Sequence, residues 1–124
     1  MSSPSKRKGS QAEREVVQHL IQHGWKYAER RLAGDINDKG DVSGVRGVCI
    51  EIKNHAKMDL GGWLQELLVE IVNAKAETGA VVHKRKGKSD VGQWYATMTV
   101  DMWIYLLKEA GYGETKTTRQ GLTD

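Results

Sequence analysis

Residues 47 to 53 read Gly-Val-Cys-Ile-Glu-Ile-Lys, an alternation that leaves the backbone few options. In a strand, successive side chains point to opposite faces. Val48, Ile50 and Ile52 then share one face, and Cys49, Glu51 and Lys53 share the other. A chain with this period must put the segment in a sheet whose aliphatic face is covered by a core. Just upstream, Asp-Val-Ser-Gly-Val at 41 to 45 reads as a partner strand, with Gly44–Gly47 as the turn of a hairpin. Folding about Val45 or Arg46 brings Asp41 level with residue 50 or 51. An odd-length turn sets the Asp41 and Glu51 carboxylates about 5 Å apart on one face.

The flanking segments predict the rest of an α/β domain. Ala12, Val16 and Leu20, with Val17 and Ile21 beside them, form an apolar stripe at helical spacing over residues 10 to 23. Ser10 with Glu13 is a capping-box pattern at its start, and Gly24 is a stop signal. Residues 25 to 30 read as a short strand and 32 to 40 as a polar loop. Asp59 can cap a second helix with Leu64, Leu67, Leu68 and Ile71 as its buried stripe and Gly79 just past its end. Residues 80 to 84 and 93 to 100 read as strands on either side of a basic loop. A last helix carries Trp103, Leu106, Leu107 and Ala110 at helical spacing, with Gly111 after it. The order is αβββαββα, which predicts a mixed central sheet flanked by helices.

Composition bounds the function classes. The 124 residues suit one domain, here 10 to 111, with a flexible basic arm at 1 to 9 and a flexible tail at 112 to 124. Lys and Arg total 19 against 16 Asp and Glu, and the pI is about 9.0, which permits a polyanionic partner without requiring one. Basic clusters at 5 to 9 and 83 to 88 surround acids at Asp35, Asp38 and Asp41. The single cysteine, Cys49, excludes an intrachain disulfide and a cysteine zinc cluster, and favours a reducing cytoplasm. No apolar run has the length of a membrane span, and the N-terminus lacks the apolar middle of a signal peptide. The expectation is a cytoplasmic protein, in a host cytoplasm if phage-encoded, with no membrane partner.

The hairpin carries the chemistry. An acid and a lysine on one strand face are by default a solvated polar face. Two converging carboxylates are different, because they repel unless a cation or a shared proton offsets the charge. A divalent ion with oxygen ligands answers that need. Mg²⁺ suits a phosphate-bound site that keeps several waters, with Mn²⁺ as its substitute. Lys53, one strand step beyond Glu51, could orient or deprotonate a water and stabilise charge developing at phosphorus.

Asp41 after Gly40, followed by Glu51-Ile52-Lys53, resembles the signature of the PD-(D/E)xK nuclease superfamily. Its restriction-endonuclease-like core has the element order read above. Lys-Gly-Ser-Gln-Ala-Glu-Arg-Glu at 8 to 15 is similar to the opening of the archaeal-type Holliday-junction resolvases and their phage and actinobacterial relatives. The resemblance covers roughly residues 8 to 108. It implies a homodimer that cuts four-way DNA junctions with Mg²⁺ and leaves 5′-phosphate ends. Carried over by motif, Glu13 and Arg14 become active-site residues, Asp41 and Glu51 metal ligands, and Lys53 the partner of the attacking water. Glu13 is either the capping glutamate or an outer metal ligand. The family arginine, a DNA contact, is Arg30 or Arg31, with Arg-Leu-Ala-Gly at 31 to 34 favouring Arg31. The acid follows glycine where the family has proline, and the loop before it carries two extra acids, Asp35 and Asp38, either solvated or adding metal affinity.

The basic run Lys84, Arg85, Lys86 and Lys88 is a charged loop tip by default, and a set of backbone-phosphate contacts beside a nuclease site. His83 reads as a structural strand residue, and Trp63, Trp94 and Trp103 as core. His19, His23 and His55 have no ligand spacing among them. Other readings are a restriction-type or repair endonuclease of the same superfamily, or a catalytically idle DNA-binding protein. For the homodimer, residues 63 to 71 and 101 to 110 offer apolar side chains beyond a narrow stripe.

Overall fold

The computed structural model describes residues 3–31 and 38–113. The loop at 32 to 37, with Asp35, and the tail from 114 onward lie outside the described residues. The first helix, α1 (Pro4–Gln22), starts six residues before Ser10. Its cap is Ser3, whose hydroxyl accepts from the Lys6 N–H at 3.2 Å, with Pro4 in the first turn where no N–H is needed. Residues 4 to 9 are therefore helical rather than a flexible arm, and Ser10 with Glu13 lies inside the helix instead of capping it. The apolar stripe is as read: Ala12 and Val16 are buried, and Val17, Leu20 and Ile21 pack around them.

Two short strands follow, β1 (Glu29–Arg30) and β2 (Val42–Ser43), paired antiparallel with Glu29 opposite Ser43. β1 is shorter than the expected 25 to 30 because the chain wraps the end of α1, with Trp25 N–H on Leu20 O and Ala28 N–H on Trp25 O. A six-residue strand, β3 (Val48–Lys53), forms as the alternation requires. The expected β2–β3 hairpin forms no ladder. Gly44 and Gly47 both take positive φ, Val48 N–H closes the turn onto Val45 O, and β2 pairs with β1 instead.

Next come α2 (Leu60–Ala74), β4 (Thr78–His83), a 3-10 turn at 91 to 93, β5 (Tyr95–Thr97) and α3 (Val100–Ala110). Asp59 caps α2 through Gly62 N–H, as read, but the helix ends at Lys75 in the left-handed conformation, and Gly79 lies inside β4. The main sheet has the order β3-β4-β5, parallel between the first pair and antiparallel between the second. The protein is thus mixed α/β, with three helices and a mixed three-stranded sheet among the described residues.

β3 is buried on both faces. Ile50 and Ile52 join Ala12 and Val16 of α1, Ala28, Val42 and Trp94 in one core. Cys49 joins Trp63 and Leu67 of α2 and Val81 of β4 in the other. The face holding Glu51 and Lys53 is therefore roofed by a helix rather than open to solvent. The buried stripe of α2 runs Trp63, Leu67, Glu70, so Leu68 is 39% exposed rather than core. Trp63 and Trp94 are core as read; Trp103 is 54% exposed, because α3 meets the sheet with Met102 and buries no residue fully.

Candidate metal centre

Asp41 is fixed by backbone bonds on both sides. Its carbonyl accepts from Arg31 N–H at 2.9 Å, and its own N–H donates to Ile50 O at 2.8 Å. Those bonds tie the β1–β2 pair to the edge of β3. The preceding residue must be glycine: Gly40 has φ +94°, and a Cβ there would sit 2.9 Å from Cys49 Sγ and 3.0 Å from Ile50 O. Proline, locked at negative φ, could not take this conformation. The Asp41 carboxylate turns toward β3, where Oδ2 accepts from Ile52 N–H at 2.7 Å and the side chain meets Glu51 at hydrogen-bond range.

Across β3 the side chains form rungs with α2. Glu51 meets Glu70, and Lys53 Nζ reaches Glu66 at 3.1 Å. Residues two apart on a strand and four apart on a helix thus face one another pairwise. A third contact from the same helix, Asn73 Nδ2 to Asp38 O at 2.8 Å, holds the chain just before Gly40. Asp38, Glu51 and Glu70 each bring a carboxylate oxygen within 4.8 Å of the others, a set that could hold a metal ion. Glu51 and Glu70 are 4% and 1% exposed.

Burial and repulsion push Asp41, Glu51 and Glu70 far above ordinary carboxylates. Asp41 is raised to about 8 by burial and by Glu51. Glu51 is raised to about 8, by burial first and with Glu70 adding to it. Glu70 is raised to about 7 by burial, with Asp38 and Asp41 contributing. Such neighbours titrate as a unit. Either protons or a cation must neutralise them at neutral pH, and an all-oxygen donor set suits a hard divalent ion. Burial opposes the charge on Lys53, but Glu51, Glu66 and Asp41 more than offset this, and its pKa is raised. Lys53 is a firmly charged ammonium beside the acids, suited to holding an anionic oxygen.

Glu13 stands at the rim. Burial raises its pKa, and the Asp41 charge adds to that. Arg30 donates from Nε to Glu13 Oε1 at 3.0 Å, and its Nη2 forms an ion pair with the same oxygen at 3.0 Å. Of the two adjacent arginines it is Arg30, not Arg31, that meets Glu13. Arg31 lies on the other side, in a cleft with Arg46 and Lys75, with its Nε buried and unpartnered. Arg14 is exposed and donates to Gln11; its charge acts on the neighbouring Glu13 but is not among the main causes of the shifts at Asp41, Glu51 or Glu70.

The basic loop leaves β4 beside Lys53, with Lys84 N–H on Lys53 O at 3.1 Å. Lys84 and Arg85 lie over the rings of Trp94 and Tyr95, and Lys86 and Lys88 are exposed. His83 is buried, with Nε2 at 2.8 Å from the Thr97 hydroxyl, in keeping with a structural residue.

The motif reading singled out Asp41, Glu51 and Lys53, which the fold brings together, but not Glu66 or Glu70. The signal for Glu70 was present: it falls seven residues after Trp63 and three after Leu67, on the buried stripe. Comparison with protein-family models, curated proteins and solved structures finds no significant match to this chain.

Proposed function

We propose that the protein is a Mg²⁺-dependent DNA endonuclease that resolves four-way junctions. The observation that carries the reading is the convergence of Asp41, Glu51 and Lys53 along β3, with α2 packed over the buried Glu51. Asp41 and Glu51 supply the oxygen ligands for Mg²⁺, with Glu13 and its Arg30 partner at the edge. The ion would polarise the phosphodiester and lower the pKa of a bound water. Lys53, held by Glu66, stands where it can position that water or balance charge on the phosphate. The loop at 84 to 88 is the natural path for the flanking backbone, because it starts at the strand end that carries Lys53. A junction has two scissile strands, and one chain carries one such site, so the reading includes a symmetric homodimer.

The junction specificity rests on the resemblance at residues 8 to 15; the hydrolytic chemistry rests on the site. The deciding experiment offers labelled four-way junction, duplex, flap and single strand, each with Mg²⁺ and with EDTA. Paired symmetrical nicks in the junction alone, lost in Asp41→Asn and Glu51→Gln, are expected. Cutting of duplex at defined sequences would assign a restriction-type enzyme instead. Binding without cutting in any divalent metal would leave a DNA-binding protein on this fold.

A further inference from the structure

Glu70 is not explained by the Asp41–Glu51–Lys53 constellation. It is 1% exposed, and its Oε1 is buried without a hydrogen-bond partner. A buried carboxylate oxygen left this way is costly unless something occupies the space it faces. Its surroundings are acidic: Glu70 has a ligand oxygen within 4.8 Å of those of Asp38 and Glu51. Asp41 is not in that set, and its Oδ2 is taken by Ile52 N–H at 2.7 Å. Glu51 therefore has Asp41 on one side and Glu70 with Asp38 on the other.

We propose that Asp38, Glu51 and Glu70 form a second divalent-cation subsite, sharing Glu51 with the ion held at Asp41. The charges favour this. Asp38, Asp41, Glu51 and Glu70 together carry four negative charges when ionised, and the nearby Lys53 is already paired with Glu66, so one divalent ion leaves the cluster unbalanced and two neutralise it. The ligands are oxygen only, as Mg²⁺, Mn²⁺ or Ca²⁺ require. Asp38 is presented by a built connection, since Asn73 on the turn of α2 after Glu70 grips its carbonyl at 2.8 Å. A bridging carboxylate between paired ions is a known device for phosphodiester chemistry, one ion on each side of the reacting phosphate. The inference deepens the nuclease reading, but the cation subsite stands on its own ligands.

The test is Mn²⁺ binding without DNA, followed by calorimetry and by loss of the free Mn²⁺ resonance signal. Wild type is expected to take up two ions per chain. Glu70→Gln should weaken one of them tenfold or more while the other persists. Asp38→Asn, at an exposed position that leaves the core intact, should weaken the same ion. Asp41→Asn should weaken the other ion. Uptake by a folded Glu70→Gln equal to wild type would overturn the subsite. So would saturation of wild type at one ion that Asp41→Asn and Glu70→Gln each abolish. A protein that binds both ions yet cuts no DNA would refute the nuclease reading and leave the subsite standing.

Discussion

Glu51 stands between the half-buried Asp41 and the buried Glu70, itself almost without solvent to screen it. Its side chain exists to share a charge, and what it shares with depends on pH. In the unfolded chain these acids titrate near 3.8 to 4.5; in the folded protein they are raised to about 7 to 8. The folded state therefore holds extra protons between those limits. Linkage gives the sign: the stabilisation is complete below about pH 4 and is lost as pH rises through 8. In EDTA the melting temperature should fall between pH 6 and pH 9, and Glu51→Gln should flatten that fall. Mn²⁺ competes with the protons, so its stabilising effect should grow over the same range. A melting temperature that rises with pH in EDTA would contradict this account. Lys53 adds a second prediction at this scale. Lys53→Ala should lower single-turnover cleavage by about 10²- to 10³-fold, as losing one charge-stabilising donor does. Binding should change far less; a variant that lost only affinity would make Lys53 a DNA contact.

Among the elements, α2 does most to organise the site. Its inner face carries Trp63 and Leu67 into the core, and the same face continues into Glu66 and Glu70 against β3. Packing and chemistry are thus one surface, and a shift of the helix would move both acids together. The Gly40 corner is its counterpart on the other side, and here the backbone sets the geometry. Gly40→Ala would need a Cβ at φ +94°, 2.9 Å from Cys49 Sγ. It should cost about 1–3 kcal/mol of stability and displace the Asp41 carboxylate. Denaturant unfolding gives the first quantity and cleavage rate the second. An unchanged midpoint with full activity would show the corner to be soft.

At the scale of the molecule, the feature left to account for is apolar surface. Leu68, Val69 and Val72 lie exposed on the outer side of α2, at 39%, 59% and 75%. Val100, Trp103 and Ile104 do the same on α3, at 66%, 54% and 40%. These side chains offer the proposed homodimer an apolar face on either helix. The proposed dimer should sediment at twice 13.9 kDa at micromolar concentration. Val72→Glu or Trp103→Glu, whichever lies in the interface, should return it to the monomer. A monomer mass that junction DNA does not change would remove the dimer. The basic loop answers to a different measurement. Neutralising Lys84, Arg85 and Lys86 together should weaken DNA binding and make its salt dependence shallower, by about one unit of slope for each phosphate no longer neutralised. An unchanged slope would return those side chains to solvent.

The alternation from Val48 to Lys53 determined a strand, and Asp41 after a glycine determined which acid would meet it. Both are local properties, set by backbone period and by the one residue that tolerates positive φ. The same is true of the Ala12–Val16–Leu20 stripe and of the Asp59 cap. The tertiary structure decided everything that depends on two elements meeting. The turn at Gly44–Gly47 diverted β2 to pair with β1. The rotation of α2 put Leu68 outside and Glu70 inside: the spacing of Trp63, Leu67 and Glu70 allowed that face, but the apolar residues Leu64, Leu67, Leu68 and Ile71 pointed to another about one residue's angle away. That rotation adds Glu70 to the converging carboxylates read from the sequence. A carboxylate becomes a candidate ligand through the residues around it, and for Glu70 those residues lie well away along the chain, on β3 and in the segment before Gly40.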